Sequence, residues 1–357
     1  MDERALARQH TPLIGLKADG AAVGPSVVRE RFVSSVGQKS VPARPLSWSP
    51  RLAVRRYGAY CSLALLLLIA LVVRPEVYRP ESLFLILRSA SQLGMVALGQ
   101  TLVMLVAGLD LSVTGLLVLT SVVIAQVGAG QDSRILPGLL ISLAFGAFIG
   151  LANGLLITKR NVPPFVATLG MLVLIRGAQS AYTQGIPSGQ VPTGLKVLNQ
   201  SLGPLPISFV IWIAFTALLA FVLYATPFGR RIYAIGSNRE AARLSGIAVD
   251  RYVVAVYIIC SLLVVGSGII LSGYVGYVDR YLGRGFDLDS IAAAVVGGVA
   301  FSGGRGSLVA AMAGVLLVVF LSSLLLIIGM DVQTQLIVKG MVVIGAVALY
   351  SLAERRP

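Results

Sequence analysis

Apolar runs long enough to cross a bilayer recur along this sequence, divided by short polar breaks, and they constrain the fold more than any other feature. Residues 61–73 and 308–328 are examples. A helix needs about 20 mostly apolar residues to cross ~30 Å of hydrocarbon. Strands of a membrane barrel would alternate apolar and polar positions instead, and these runs do not. Only 12% of the residues are charged against 56% that are hydrophobic, so the bilayer is the main solvent. The expected fold is an all-α integral membrane protein, a polytopic bundle of about ten transmembrane helices that includes discontinuous ones. The predicted spans are 57–74, 83–107, 112–130, 135–157, 165–183, 206–225, 251–273, 288–302, 307–329 and 332–352. Gly and polar residues interrupt the second, third and eighth.

The formal charge of +14 comes from 29 basic residues set against 15 acidic ones. Their placement reads as membrane topology rather than nucleic-acid binding, because basic loops stay on the cytoplasmic side. Counting alternately from an internal N-terminus puts Lys159 and Arg160 inside, then Arg230, Arg231, Arg239, Arg243 and Arg251, then Arg305, Arg355 and Arg356. Both termini are therefore expected in the cytoplasm. Residues 1–50 carry Pro, Gly, Ser and basic residues without an apolar period and are expected to form a disordered cytoplasmic tail. Residues 51–357 form the membrane domain, with a cytoplasmic loop at 226–250.

The chemistry available is narrow. The single histidine, His10, lies in the tail, and Cys61 and Cys260 sit in apolar spans, so no metal site, disulfide or redox centre is expected. No G-x-x-x-x-G-K-[ST] pattern occurs, so the chain cannot be its own ATPase. No span carries an acid–base cluster, and the chain is not expected to be an enzyme or to hold a cofactor.

Four regions carry the functional reading. The segment 226–252 is too polar to insert; Ser237 and Glu240 fit a capping box, so a short helix is expected from Ser237 through Arg243, ended by Gly246. The stretches 150–170 and 292–307 place Pro163, Pro164 and five glycines at helix breaks near cytoplasmic ends. Asp110, Arg176 and Lys339 are charges near span ends, where snorkelling removes most of the insertion cost of ~3 kcal/mol. Asp110 is read as fixing a broken helix beside a solute path, to which Asn153, Thr168 and Gln333 contribute hydrogen bonds. Outside the membrane, the set Asp279, Asp287 and Asp289 is expected to dock a binding protein through charge pairs, with Arg280 and Arg284 nearby.

Four ordered blocks, GQTLVMLVAGLDLSV (99–113), GLANGLLITKRNVPPFVATLG (150–170), GRRIYAIGSNREAARLSGI (229–247) and FDLDSIAAAVVGGVAFSGGRGS (286–307), resemble the permeases of ribose, galactose and xylose importers in the ATP-binding-cassette superfamily. The resemblance covers about residues 80–350. It implies a permease subunit in the bacterial inner membrane that forms the path for a monosaccharide or similar small polar solute. The implied partners are a second copy or close relative, a cytoplasmic ATPase that binds ATP and magnesium, and an extracytoplasmic solute-binding protein. The family's coupling positions fall on Gly236, Asn238, Ala241, Ala242, Arg243 and Gly246, and the expected cap adds Glu240. The sequence departs from the family at Thr114, where a glycine usually stands, and over 321–328, which lacks the usual Asn-Gly pair. Permeases for branched-chain amino acids or nucleosides share the fold and stay open as alternatives. So does a secondary transporter driven by ions, although Asp110 is its one plausible buried carboxylate.

Overall fold

The computed structural model describes residues 50–279 and 281–354, so the tail expected over 1–50 lies, but for Pro50, outside the described residues. Helices occupy all ten stretches expected to span. In chain order they are α1 (Pro50–Val73), α2 (Pro80–Leu105), α3 (Val113–Gly128), α4 (Ile135–Lys159), α5 (Pro164–Thr183) and α6 (Ile207–Ala225). After two short helices, α7 (Pro227–Ser237) and α8 (Arg239–Leu244), come α9 (Val249–Val275), α10 (Phe286–Val296), α11 (Leu308–Ile327) and α12 (Val332–Glu354). One small hairpin, β1 (Ser201–Leu202) with β2 (Leu205–Pro206), lies in the α5–α6 connection.

Among the described residues six helices, α2, α4, α5, α6, α9 and α11, are long and apolar enough to cross a bilayer. Of the other expected spans, 332–352 is met by the 23-residue α12, which is not among those six, and the rest by shorter apolar pieces. Residues Gly58–Val73 of α1 and the 16-residue α3 are two of these. The predicted span 288–302 is not one helix. α10 has 11 residues, about 16 Å of rise, roughly half the hydrocarbon thickness. Gly298, Gly303, Gly304 and Gly306 then take positive φ and turn the chain back. Helix length alone therefore does not give ten full crossings.

The centre of the bundle is α2 and α9, whose residues dominate the buried core. Burial cannot drive helices together inside lipid, so close backbone approach does. On α4, Gly146, Gly150 and Gly154 form a row against α9: a Cβ at Gly150 would stand 2.6 Å from Ile258 Cα, and one at Gly154 2.8 Å from Val254 Cα. On α2, Gly94 makes room for the fully buried indole of Trp212 from α6.

Two ends of the molecule are distinguishable. The α7–α8 segment joins α6 to α9 at one end, where α2 stops, α3 begins and α4 finishes. The α5–α6 connection and the turn before α10 lie at the other, tied by a backbone bridge between Gln190 and Tyr277.

Candidate functional site

Three irregular segments meet at the α7–α8 end. The first is the break at 106–112 between α2 and α3, where Ala107 has φ of 56° and Gly108 N donates to Val103 O at 2.9 Å. The second is the glycine loop 297–307. The third is α7, whose residue Gly236 is buried between the other two: a Cβ there would collide with Leu105 O and Gly304 N. Gly304 N donates to Leu105 O at 2.9 Å. Arg239 Nη2 donates to Val106 O at 3.0 Å, and Tyr233 Oη donates to Gly306 O at 2.9 Å. Burial, then the neighbouring Tyr224, pushes the Tyr233 phenol above its ordinary pKa, so it remains an O–H donor.

The break is braced by polar side chains from three helices. Asp110 Oδ1 accepts from Ser112 N at 2.9 Å and Ser112 Oγ at 2.6 Å. Asn153 Nδ2 donates to Ser112 Oγ at 3.0 Å, linking α4 to the break. Tyr257 Oη of α9 donates to Leu109 O at 3.1 Å. Thr168 Oγ1 donates to Pro164 O at 2.9 Å and stands 3.4 Å from the same Leu109 carbonyl. Asp110, Asn153 and Thr168, proposed from sequence as one group, are thus brought together and fully buried. Asp110 Oδ2 and Asn153 Oδ1 are buried without a protein partner. Gln333 stands apart from them, exposed in the first turn of α12, a helix that packs on α10 and α11.

The expected short helix exists, with a different start. Asn238 is the N-cap of α8, its side chain accepting from Ala241 N at 3.0 Å. Ser237 closes α7 instead, its hydroxyl donating to Tyr233 O at 2.8 Å. A Ser and an Asn adjacent in sequence could each have capped, and the helical backbone of 227–237 decides between them. α7 was not predicted, because its 11 residues are too few to span and Pro227, Gly229 and Gly236 read as loop residues, although Phe228, Ile232 and Ile235 recur at helical spacing. Of the expected coupling residues, Gly236 and Ala242 face inward, while Asn238, Glu240, Ala241 and Arg243 are exposed. Gly246 ends the helix with φ of 80°. Glu240 stands 3.7 Å from Arg243. Leu244, not anticipated, is 82% exposed. Asp250 ties the segment down, accepting from Lys159 at 2.8 Å and Arg243 at 3.3 Å.

At the opposite end, Asp279 Oδ1 accepts from Tyr281 N at 2.9 Å and Asp287 Oδ1 from Leu288 N at 2.9 Å. Arg284 lies over the Tyr281 ring, and Arg280 falls outside the described residues. Lys339, expected to snorkel, reaches Asp289 of α10 at 2.9 Å, and both side chains are largely buried. Between α3 and α5 a cavity of about 570 Å³ runs toward this end, lined by Thr114, Arg176, Gln179, Ser180 and Thr183 and bounded by Arg284. Its signal in the sequence was legible but unused: Arg176, Gln179, Ser180 and Thr183 recur at i, i+3, i+4 and i+7, one face of a helix. Among the described residues no group of three or more His, Cys, Asp or Glu side chains is placed to hold a metal ion.

Residues 82–347 match the family model for the branched-chain amino acid transport system permease component. The ribose import permease protein RbsC of Escherichia coli K12 is 39% identical over 295 residues, covering 80% of this chain and 91% of that protein. RbsC of Bacillus subtilis is 36% identical over 301 residues, covering 83% and 92%. The galactose/methyl galactoside import permease protein MglC of E. coli K12 is 34% identical over 318 residues, covering 84% and 95%. No solved structure matches the chain.

Proposed function

We infer the function from one premise: this chain belongs to the branched-chain amino acid transport system permease component family. It is the membrane permease subunit of an ABC importer for a monosaccharide. The relatives named above import ribose and galactose, and a fructose import permease is 33% identical over 74% of the chain. The amino-acid alternative is not favoured by them.

Several finer features follow as proposals. The chain crosses the inner membrane ten times, α10 with its glycine loop forming one interrupted crossing and α2–α3 turning at the break. Both termini are cytoplasmic. Lys159, Arg160, Arg230, Arg231, Arg239, Arg243 and Arg251 all belong to the α7–α8 end, and this basic concentration supports placing that end inside. A second permease copy or close relative completes the path, an ATPase docks on α7–α8, and a solute-binding protein docks around Asp279, Arg280, Arg284 and Asp287. ATP and magnesium belong to the ATPase.

One observation carries the mechanism: Gly236 of α7 is wedged between Leu105 O and Gly304 N. ATP binding draws the ATPase subunits together and pushes on the exposed residues of α8. Leu244 and Ala241 give the partner an apolar hold, and Asn238, Glu240 and Arg243 give it a polar rim. Because α7 packs through Gly236 and Tyr233, and α8 through Arg239, onto the end of α2 and the glycine loop, the push reaches both interrupted helices together. The 106–112 break and the glycine loop move as joined parts, opening or closing the path braced by Asp110, Asn153 and Thr168. No covalent chemistry occurs on this chain.

The test is uptake of labelled D-ribose, D-galactose and D-fructose by cells carrying the permease, its ATPase and its binding protein. ATP-dependent accumulation of at least one sugar, lost when the permease is deleted, is the expected result. Accumulation of leucine but none of the sugars would return the amino-acid reading.

A further inference from the structure

We propose that the α3–α5 cavity is the segment of the path that holds the solute, and that Gln179 and Arg176 hydrogen-bond the hydroxyls of a sugar-like molecule there. This inference rests on the sugar-permease reading and adds to it the residues that make contact.

α5 is apolar on its outer surface, where Phe165, Val166, Leu169, Val173 and Leu174 are exposed. Arg176, Gln179, Ser180 and Thr183 break that character over two turns, on one face and in the half of the helix away from α7–α8. Snorkelling accounts for Arg176 alone, but not for four polar side chains in one row, and a polar stripe of that length inside a span marks a wet or solute-bearing surface. The stripe lines the cavity, opposite Thr114 at the start of α3. The volume of about 570 Å³ is within the range of small-molecule sites.

The donor and acceptor arrangement gives the ligand class. Gln179 is oriented by α3: its Nε2 donates to Gly115 O at 2.9 Å. With the nitrogen engaged, the amide oxygen is the acceptor Gln179 can offer a ligand. Arg176, with Arg284 at the rim, supplies guanidinium donors, and Thr114, Ser180 and Thr183 supply hydroxyls that both donate and accept. Among the described residues that line the cavity there is no carboxylate. A ring of alternating hydroxyls can accept from the arginines and donate to the Gln179 oxygen. An amino acid could set its carboxylate on the arginines, but its ammonium would meet only neutral acceptors among these residues, whereas each hydroxyl of a sugar finds a donor or an acceptor.

The experiment uses cells expressing the permease with its ATPase and binding protein, in a Cys61→Ser background, with D-ribose, D-galactose and D-fructose as probes. The sugar that the parent accumulates becomes the probe for the variants. Arg176→Leu and Gln179→Leu are each expected to lower its uptake about tenfold, the consequence of losing a hydrogen bond or two to the solute. Ser180→Cys is expected to lose uptake after treatment with a membrane-impermeant thiol reagent and to be protected by saturating sugar. Leu174→Cys, on the apolar face of the same helix, is expected to keep its uptake under the reagent. If the parent imports none of the sugars, the sugar reading falls and takes this inference with it. If the parent imports one, while Arg176→Leu, Gln179→Leu and reagent-treated Ser180→Cys all import like the parent, the sugar reading stands and the cavity assignment is overturned. The thiol arm decides the matter even where the leucine variants fail to insert.

Discussion

The amide of Gly304 donates to the carbonyl of Leu105 at 2.9 Å, joining the loop after one interrupted helix to the end of another. Gly236 of α7 rests on both partners of that bond. A mechanical input on α7 thus has one short route to two helix breaks.

Gly236→Ala places a methyl group where Leu105 O and Gly304 N already stand. Neither obstacle is a flexible side chain, so the backbone must separate, at a cost of about 1–3 kcal/mol. The purified variant should melt lower than wild type and import poorly. Equal melting temperature and equal uptake would show that α7 is free to move independently of the break.

Docking of the ATPase should depend on the exposed surface of α8 and on its cap. Asn238→Ala removes the acceptor for Ala241 N and costs the helix about 1 kcal/mol. Leu244→Asp removes the apolar contact without disturbing the fold, because that side chain is 82% exposed. In a pull-down from membranes, both variants should retain less ATPase than wild type, Leu244→Asp the less of the two. Proline at Glu240 is the weaker probe, since position 240 lies in the first turn of α8, where no intrahelical donor is lost.

Asp110 braces the break through a single oxygen that accepts from both Ser112 groups. Asp110→Asn keeps a carbonyl oxygen there and should import at a rate close to wild type. Asp110→Ala leaves buried donors unmatched at a cost of about 1–3 kcal/mol and should lower both melting temperature and uptake. Wild-type uptake by a correctly inserted Asp110→Ala protein would remove the break from the path.

The pairs made by Asp250 should matter little to stability. Lys159 and Arg243 are about 60% exposed in these contacts, and exposed pairs contribute about 0–1 kcal/mol. Lys159→Ala should leave the melting temperature nearly unchanged in moderate salt. A drop of many degrees would mean that the loop depends on this anchor.

Much of this architecture could be read from the residues. Apolar runs located the helices, and the Gly- and Pro-rich blocks located the breaks, because a missing side chain or donor acts locally. The grouping of Asp110, Asn153 and Thr168 was also legible, since polar side chains within spans need one another. The bond from Tyr257 to the Leu109 carbonyl beside them was not, because an aromatic residue within the apolar run of α9 gives no local sign of a polar partner. Ser237 and Asn238 competed for one cap, and the choice fell to the helical course of α7, a short segment whose glycines and proline read as a loop. Lys339 shows the same limit: snorkelling is the local answer, and Asp289, 50 residues away, is the actual one.

The central claim is that α7–α8 transmits ATPase motion to the joined helix breaks, and Arg239 tests it most directly. Its Nη2 bonds Val106 O at 3.0 Å, while the exposed face of α8 remains free for the ATPase. The decisive measurement is sugar imported per ATP hydrolysed by the reconstituted complex, wild type against Arg239→Gln. The account predicts that the variant still binds the ATPase and hydrolyses ATP, while this ratio falls about tenfold, as loss of a charge-assisted bond of about 1.5–3 kcal/mol would give. An unchanged ratio, with the variant inserted and assembled, would contradict it.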